Sequence, residues 1–144
     1  MAIPQPNPIQ QRELIHGRLK FSVDNTRVEI ATISGTGKLA PISFLHGFGS
    51  TKEDYVDMLY HPAFAKRSFL AYDAPGCGDS YCEDLSKISI PFLAETARKV
   101  LEMSGIKEVH IVGHSMGGLT ALMLAHEEGL RVLSVRRYRR ESIP

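Results

Sequence analysis

Hydrophobic and polar residues in the first third of the chain follow the two-residue period of strands. Strict alternation over residues 18–23 and 27–33 predicts two antiparallel strands with one face toward water. Asp24 and Asn25 lie between them and favour a tight turn. The chain is therefore predicted to begin its fold with a β-hairpin.

Short apolar runs later in the chain predict strands that are covered on both faces. The runs are rich in β-branched or aromatic residues and end at turn-forming residues, as buried strands do. They lie at residues 41–45, 68–72 and 108–112, and residues 130–135 predict the beginning of one more strand.

Three segments between these runs are predicted to be helices. Residues 90–104 give the clearest pattern, with Ser89 to cap the first turn, Pro91 within it and Gly105 to end the helix. The apolar stripe of this helix consists of Leu93, Ala97, Val100 and Leu101. The other two helices are predicted at about residues 50–60 and 116–127.

The order of these segments predicts the fold class. Strands alternate with helices from residue 41 onward, which is typical of α/β proteins with a doubly wound, mostly parallel sheet. The N-terminal hairpin adds antiparallel strands to that sheet. Ligands of such sheets bind at the carboxyl ends of the strands. Residues 46–49, residues 73–80 and Ser115 are expected at those ends.

The sequence Gly113-His114-Ser115-Met116-Gly117 joins a predicted strand to a predicted helix. It has the form G-x-S-x-G, in which the serine occupies a strained turn and its hydroxyl projects above the sheet. Glycine is expected at both ends of the motif because a Cβ there would collide with the neighbouring strand or helix. The beginning of the helix lies under the serine and favours negative charge there, which suits acyl transfer.

Composition places the chain among ordinary globular proteins. Its 144 residues suffice for one domain, and 43% hydrophobic and 23% charged residues are usual for this class. The net charge of +1 favours no particular partner, and no nucleic-acid partner is expected. No apolar run approaches the ~20 residues of a membrane span, and the N-terminus lacks the pattern of a signal peptide.

The cysteines and the N-terminal segment add two further expectations. Cys77 and Cys82 show neither zinc spacing nor a disulfide framework, and are expected to be free thiols of a cytoplasmic protein without metal or cofactor. Residues 1–13 contain three prolines among polar residues and predict a disordered arm ahead of a domain over residues 14–134. A proline-rich ligand for a partner domain is the alternative interpretation of the arm.

Three segments together resemble those of the α/β-hydrolase fold family. FLHGF, YDAPGCGDS and GHSMGG occur in that family's order and at its spacing, and the resemblance covers about residues 15–134. It is strongest to the branch of serine esterases, perhydrolases and carbon–carbon hydrolases. Epoxide hydrolases and haloalkane dehalogenases place an aspartate where this chain has Ser115.

The resemblance implies roles for residues of these segments. Ser115 matches the nucleophile, while the N–H groups of Phe48 and Met116 match the two donors of the oxyanion hole. Such donors stabilise the charge that develops on a tetrahedral intermediate. His46 and Gly47 match a pair that supports the loop carrying one of these donors.

Several side chains near these segments have a plainer interpretation than catalysis. Asp73 is expected to tie its own loop through backbone hydrogen bonds rather than to act as the triad acid. We expect His114 to point away from the hydroxyl and His110 to be a satisfied core histidine. Cys77, between two glycines, is expected to be a bystander.

The sequence after Ser115 does not complete the family's triad, whose acid and histidine follow the serine along the chain. No aspartate occurs after Asp84, and the one later histidine is His126. At ~1.5 Å per residue along the same predicted helix, His126 lies roughly 16 Å from the serine. We therefore expect a serine hydrolase for a small ester or similar acyl substrate, truncated before its acid and histidine. The alternative is an inactive fragment or a non-enzymatic binding module.

Residues 135–144 differ from the rest of the chain, because they contain four arginines and one glutamate where the family continues a buried strand. Burying an unpaired arginine in a sheet is costly, so this basic tail is expected to leave the sheet. A shift of one nucleotide permits a strand-like peptide here, and translation out of frame is the preferred explanation. A nucleic-acid-binding tail is the alternative.

Overall fold

The computed structural model describes residues 13–64 and 66–138 of the chain. The predicted arm lies outside these ranges except for Glu13, and so does the tail beyond residue 138. The strands are β1 (Ile15–Val23), β2 (Thr26–Gly35), β3 (Leu39–Leu45), β4 (Arg67–Tyr72), β5 (Tyr81–Cys82), β6 (Glu108–His114) and β7 (Arg131–Tyr138).

Within the described ranges, two α-helices and three 3₁₀ helices connect these strands. The α-helices are α1 (Ile90–Met103) and α2 (Met116–Leu124). The 3₁₀ helices are η1 (Lys52–Tyr60), η2 (Pro62–Phe64) and η3 (Leu85–Lys87). None of the helices within the described ranges is long and apolar enough to cross a bilayer.

The strands form one mixed sheet in the order β1-β2-β4-β3-β6-β7, with the short β5 paired to β2. β4, β3, β6 and β7 are parallel neighbours, whereas β2 pairs antiparallel with β1 and with β4. This confirms the predicted α/β class with a parallel sheet and an antiparallel N-terminal hairpin.

The hairpin turn adopts the backbone that its residues favour. Asp24 and Asn25 both have positive φ, 47° and 58°, and Val23 faces Thr26 across the turn. Two such residues in succession give the twist that tight hairpins need, and aspartate and asparagine tolerate it best after glycine. The predicted turn is confirmed.

Each face of the sheet carries its own hydrophobic cluster. α1 and α2 cover one face, where Val100 and Leu124 are fully buried against residues of β2 and β6. η1 covers the other face, where Tyr55 stacks on Phe44 with ring centroids 4.9 Å apart. The stripe predicted for α1 is buried throughout: Leu93, Ala97, Val100 and Leu101.

Helix bounds differ from the predictions at two places. The segment predicted as a helix over residues 50–60 is the 3₁₀ helix η1, and the N–H of Asp54 donates to the Thr51 carbonyl in the i to i+3 pattern. Such tight turns are common in short connectors. α2 ends at Leu124, three residues before the predicted end, and Gly129 follows with φ +84°.

The basic tail does not leave the sheet at residue 135, so this expectation is wrong for residues 135–138. β7 continues to Tyr138, with Val135 opposite Ile111 and Arg137 opposite Gly113. The physical reason is that β7 is an edge strand of the described sheet. Arg136 and Arg137 are exposed there, and the cost of burying an unpaired charge does not arise.

Candidate active site

The turn between β6 and α2 holds Ser115 in an unusual backbone conformation. Its φ is +53° and its ψ is −113°, a region that residues with a side chain seldom adopt. The Ser115 carbonyl accepts the N–H groups of Gly118 and Leu119, so the first turn of α2 anchors the strained residue. The Ser115 side chain is exposed, and it makes no capping hydrogen bond to the helix.

The two glycines of the motif allow α2 to approach the sheet closely. A Cβ on Gly113 would lie 2.5 Å from the Gly117 carbonyl oxygen, and a Cβ on Gly117 would lie 2.1 Å from the Leu45 carbonyl oxygen. Both obstacles are backbone atoms, which no side-chain rotation moves. The requirement for glycine at both positions follows from these contacts.

The segment of residues 46–51, here called the β3 loop, passes beside this turn. A Cβ built on Gly47 would lie 3.1 Å from the Ser115 Cβ and 2.8 Å from His114 Nδ1. The sheet explains this approach, since β3 and β6 are parallel neighbours and Leu45 pairs with Gly113. The predicted site segments after β3 and β6 therefore meet at one edge of the sheet.

Two backbone N–H groups at this edge are free to donate. Neither Phe48 N–H nor Met116 N–H donates to another residue of the described ranges. Met116 is the first residue of α2, where the N–H groups have no partner within the helix. The Phe48 side chain is 89% exposed. These are the two groups that the sequence predicted as oxyanion donors.

His46 is buried and has both ring nitrogens engaged. Its Nε2 accepts the N–H of Ala74 at 2.8 Å, and its Nδ1 lies 2.9 Å from the Gly47 carbonyl oxygen. Nδ1 therefore carries the proton in the neutral ring, and Nε2 is the acceptor. This arrangement agrees with a supporting role for His46 and leaves it no free nitrogen for proton transfer.

Asp73 is fully buried and receives hydrogen bonds from two directions. Its Oδ1 accepts the Lys52 N–H at 2.8 Å, and its Oδ2 accepts the Asp79 N–H at 2.9 Å and Lys52 Nζ at 2.7 Å. Asp73 thus ties residues 73–80, here called the β4 loop, as predicted. It also binds the beginning of η1, which the sequence did not predict.

Lys52 is the member of the site that sequence reasoning missed. It is 3% exposed, and Nζ also contacts carboxylates of Glu53 at 2.8 Å and Asp79 at 2.9 Å. Burial by itself would lower the pKa of this ammonium, but the hydrogen bonds with Asp73, Glu53 and Asp79 raise the pKa well above its ordinary value. No spacing in the sequence signals this contact, because Lys52 and Asp73 are brought together by the sheet.

The remaining candidates from the sequence are His110, Cys77 and His126. His110 is partly buried in β6, with Nδ1 2.7 Å from Ser134 Oγ, so it is satisfied as expected. Cys77 is half-buried, and burial followed by the Asp73 charge raises the pKa of its thiol, which opposes nucleophilic use. His126 is exposed beyond the end of α2.

Beside the turn, a small opening leads toward the core. It has room for roughly one water molecule and is lined by the residues Leu45, His46, Tyr72, Ala74, Leu93, Met116, Gly117 and Thr120. The described residues thus form the floor of the candidate site beneath an open surface.

Comparisons with known proteins show the family of the chain. A family model for the alpha/beta hydrolase fold matches residues 40–135. A dihydrolipoyllysine-residue acetyltransferase component of the acetoin cleaving system from Cupriavidus necator is 34% identical over 113 residues, which are 78% of this chain and 29% of that protein. A proline iminopeptidase from Clostridioides difficile is 29% identical over 119 residues, 80% of this chain and 39% of that protein.

A solved structure shares the fold as well. The crystal structure of a membrane phospholipase A, a bacterial virulence factor, superimposes with a TM-score of 0.69 and 27% identity, covering 90% of this chain and 41% of that one. The chain thus spans less than half the length of each of these three proteins. From the family match over residues 40–135, the sheet order and the strained turn, the chain belongs to the α/β-hydrolase fold family.

Proposed function

We propose that the site carries out hydrolysis of an ester or a similar small acyl compound, with Ser115 as nucleophile. The observation that carries the proposal is the positive φ of Ser115 together with two N–H groups at the same sheet edge, those of Phe48 and Met116, which have no partner among the residues that the structure describes. Similarity to a phospholipase A and to an iminopeptidase supports a hydrolase of this kind.

In the proposed reaction, Ser115 Oγ attacks the carbonyl carbon of the substrate and forms a tetrahedral intermediate. The carbonyl oxygen becomes an oxyanion, and the N–H groups of Phe48 and Met116 donate to it. The beginning of α2 adds the favourable field of its aligned peptide dipoles. Loss of one such donor typically lowers the rate by ~10²–10³. The intermediate then collapses: the bond to the alkoxy group of the ester breaks, and the alcohol leaves with the proton taken from Ser115. Water hydrolyses the resulting acyl–serine ester, which releases the carboxylic acid and regenerates the hydroxyl.

The reaction also needs a base to take the serine proton. His46 does not serve, because both of its nitrogens are engaged. His126 does not serve either, because it lies beyond the opposite end of α2. The proposal therefore requires an acid and a histidine other than these, and an inactive fragment or non-enzymatic binding module is the competing function.

A fluorophosphonate probe separates the two functions, because it labels an activated serine covalently. If Ser115 is activated as proposed, labelling occurs at Ser115 at neutral pH, is identified by peptide mass spectrometry and is lost in Ser115→Ala. Ser104→Ala, which removes an exposed hydroxyl at the end of α1, is the matched control and should label like the natural chain. Labelling of the folded chain no faster than that of the heat-unfolded chain would favour the inactive alternative.

A further inference from the structure

The β3 loop is attached at both ends to the residues that follow β4. At its beginning, His46 Nε2 accepts the Ala74 N–H at 2.8 Å. Just after its end, Lys52 N–H donates to Asp73 Oδ1 at 2.8 Å. Because Asp73 and Ala74 are adjacent, the two ends of the loop are held by neighbouring residues of one segment.

The tip of the β3 loop, at Phe48 and Gly49, has few contacts of its own. Phe48 is 89% exposed and its N–H has no partner in the described part of the chain. Gly49 has φ +77°, and a Cβ built there meets nothing within 4 Å. The Ser50 N–H donates to the Gly47 carbonyl at 3.2 Å, which closes a turn within the loop itself. The position of the Phe48 N–H therefore depends on how firmly the ends are held.

The attachment at Lys52 is a buried charge pair. Lys52 is 3% exposed and Asp73 is fully buried, and Nζ lies 2.7 Å from Oδ2. Separating them would leave a charge without compensation in the interior, which is strongly unfavourable. Glu53 and Asp79 reach the same Nζ from the surface side, so the ammonium contacts three carboxylates, one from η1 and two from the β4 loop.

We infer that Lys52 is the positioning residue of the site: its bond to Asp73 fixes the end of the β3 loop and thereby the Phe48 N–H. This inference rests on the proposed function for the role of Phe48 as an oxyanion donor. Lys52 itself touches no reacting atom. It acts through the loop, while Met116, the second donor, is held separately by α2.

The test uses the double variant Lys52→Met and Asp73→Asn in the full chain. Replacing the lysine alone would leave Asp73 buried and uncompensated, and the chain would be at risk of unfolding. The paired change removes both charges and keeps an amide oxygen at the Oδ1 position to accept the N–H of residue 52, whereas the Asp79 N–H loses its acceptor at Oδ2. Lys20→Met is the matched control, because Lys20 lies on β1 and its side chain is 71% exposed.

Amide hydrogen exchange measured by mass spectrometry shows how firmly the β3 loop is held, independently of any catalytic activity. In the double variant we expect a peptide over residues 46–54 to exchange ~10-fold faster than in the natural chain, because its attachment opens locally. A peptide over residues 115–124 should exchange as before, and Lys20→Met should change neither. Unchanged exchange over residues 46–54, or equal acceleration of both peptides, would overturn the inference.

The rate of fluorophosphonate labelling at Ser115 is the second readout. We expect it to fall ~10-fold or more in the double variant, since a displaced donor loses part of the ~10²–10³ that one donor supplies. An unchanged labelling rate alongside faster loop exchange would also overturn the positioning role. If the natural chain does not label, the proposed function fails, and the exchange experiment still decides whether Lys52 holds the loop.

Discussion

At the scale of single residues, the shape of the candidate site depends on positions where a side chain cannot be placed. Gly113 and Gly117 let α2 lie within contact distance of β3 and β6, and this close approach fixes the turn that presents Ser115. Gly118, the next residue, has a different neighbour, because a Cβ there would meet the Arg137 side chain at 3.2 Å. Adjacent glycines in one helix therefore offer a direct comparison.

Gly117→Ala is expected to destabilise the fold by about 2–3 kcal/mol or more, because the new methyl would collide with a backbone oxygen that does not move aside. Gly118→Ala is the control. It should be neutral, or stabilising by up to ~1 kcal/mol, since alanine is the better helix former and the arginine can shift. Urea unfolding of both variants gives the free energies. Equal destabilisation by the two substitutions would show that the Leu45 contact is not the cause.

His110 gives a prediction for pH. Burial, and then the nearby Arg67 charge, lower the pKa of His110 below its ordinary 6.5. The folded state thus favours the neutral ring. The contribution of the neutral His110 ring to the free energy of unfolding is fully present above pH 6.5, and it is lost as the pH falls through the lowered pKa of the folded state.

His110→Gln should therefore reduce the loss of stability between pH 7.5 and about 5, because glutamine has no proton to gain and can still bond Ser134. Thermal melts at several pH values measure how the stability of each variant depends on pH. His16→Gln, at an exposed position of β1, is the control and should follow the natural chain. If the stability of His110→Gln depended on pH as steeply as that of the natural chain, His110 would not be the group responsible.

At the scale of elements, the capping residues of α1 and the packing of its apolar stripe support the same helix bounds. Ser89 precedes the helix and its Oγ accepts the Phe92 N–H at 3.2 Å, as its sequence position predicted. Gly105 follows the last turn with φ +72°. Between them the apolar stripe is buried. This helix was predicted to within one residue because each signal acts within a few positions of the element it controls.

Ser89→Ala should destabilise the chain by about 1 kcal/mol, because the N–H of Phe92 loses its acceptor. Ser104→Ala at the other end is the control, since the cap there uses the backbone N–H of Ser104, which donates to the Val100 carbonyl. It should cost less than about 0.5 kcal/mol. Chemical denaturation distinguishes the two. Ser104→Ala costing as much as Ser89→Ala would contradict the assignment of the cap.

At the scale of the whole molecule, α2 leaves an apolar stripe uncovered. Leu119, Leu122 and Met123 are between 39% and 46% exposed. Leu122 and Met123 follow Leu119 by three and four residues, which places them on the same side of the helix as Leu119. β7, beside it, is an edge strand of the described sheet. A contiguous exposed apolar surface next to an open edge favours association.

We expect the chain to associate as its concentration rises, and the double variant Leu119→Lys, Leu122→Glu to remain monomeric to higher concentration. Sedimentation velocity over a dilution series measures the distribution. Leu85→Glu is the control, because Leu85 is 64% exposed on η3, away from α2, and its replacement should leave association unchanged. A natural chain that stays monomeric across the series would refute this prediction.

The sequence by itself determined those features whose causes are local. The alternation of residues 18–33 determined the hairpin, Ser89 and Gly105 bounded α1, and the G-x-S-x-G pattern located the turn at Ser115. Each depends on backbone preference or on neighbours within about four residues. The α/β class with a mostly parallel sheet followed from the succession of these elements, and the resemblance to the family followed from the motifs FLHGF, YDAPGCGDS and GHSMGG.

The tertiary structure alone decided the features that join distant positions. Lys52 and Asp73 are 21 residues apart, and no pattern in the sequence pairs them. β3 and β4 bring them together as parallel neighbours. Likewise, Arg136 and Arg137 were expected outside the sheet, because sequence alone does not say which strand lies at an edge. Edge position leaves their charged groups in water, and this removes the desolvation cost that would have ended the strand at residue 135.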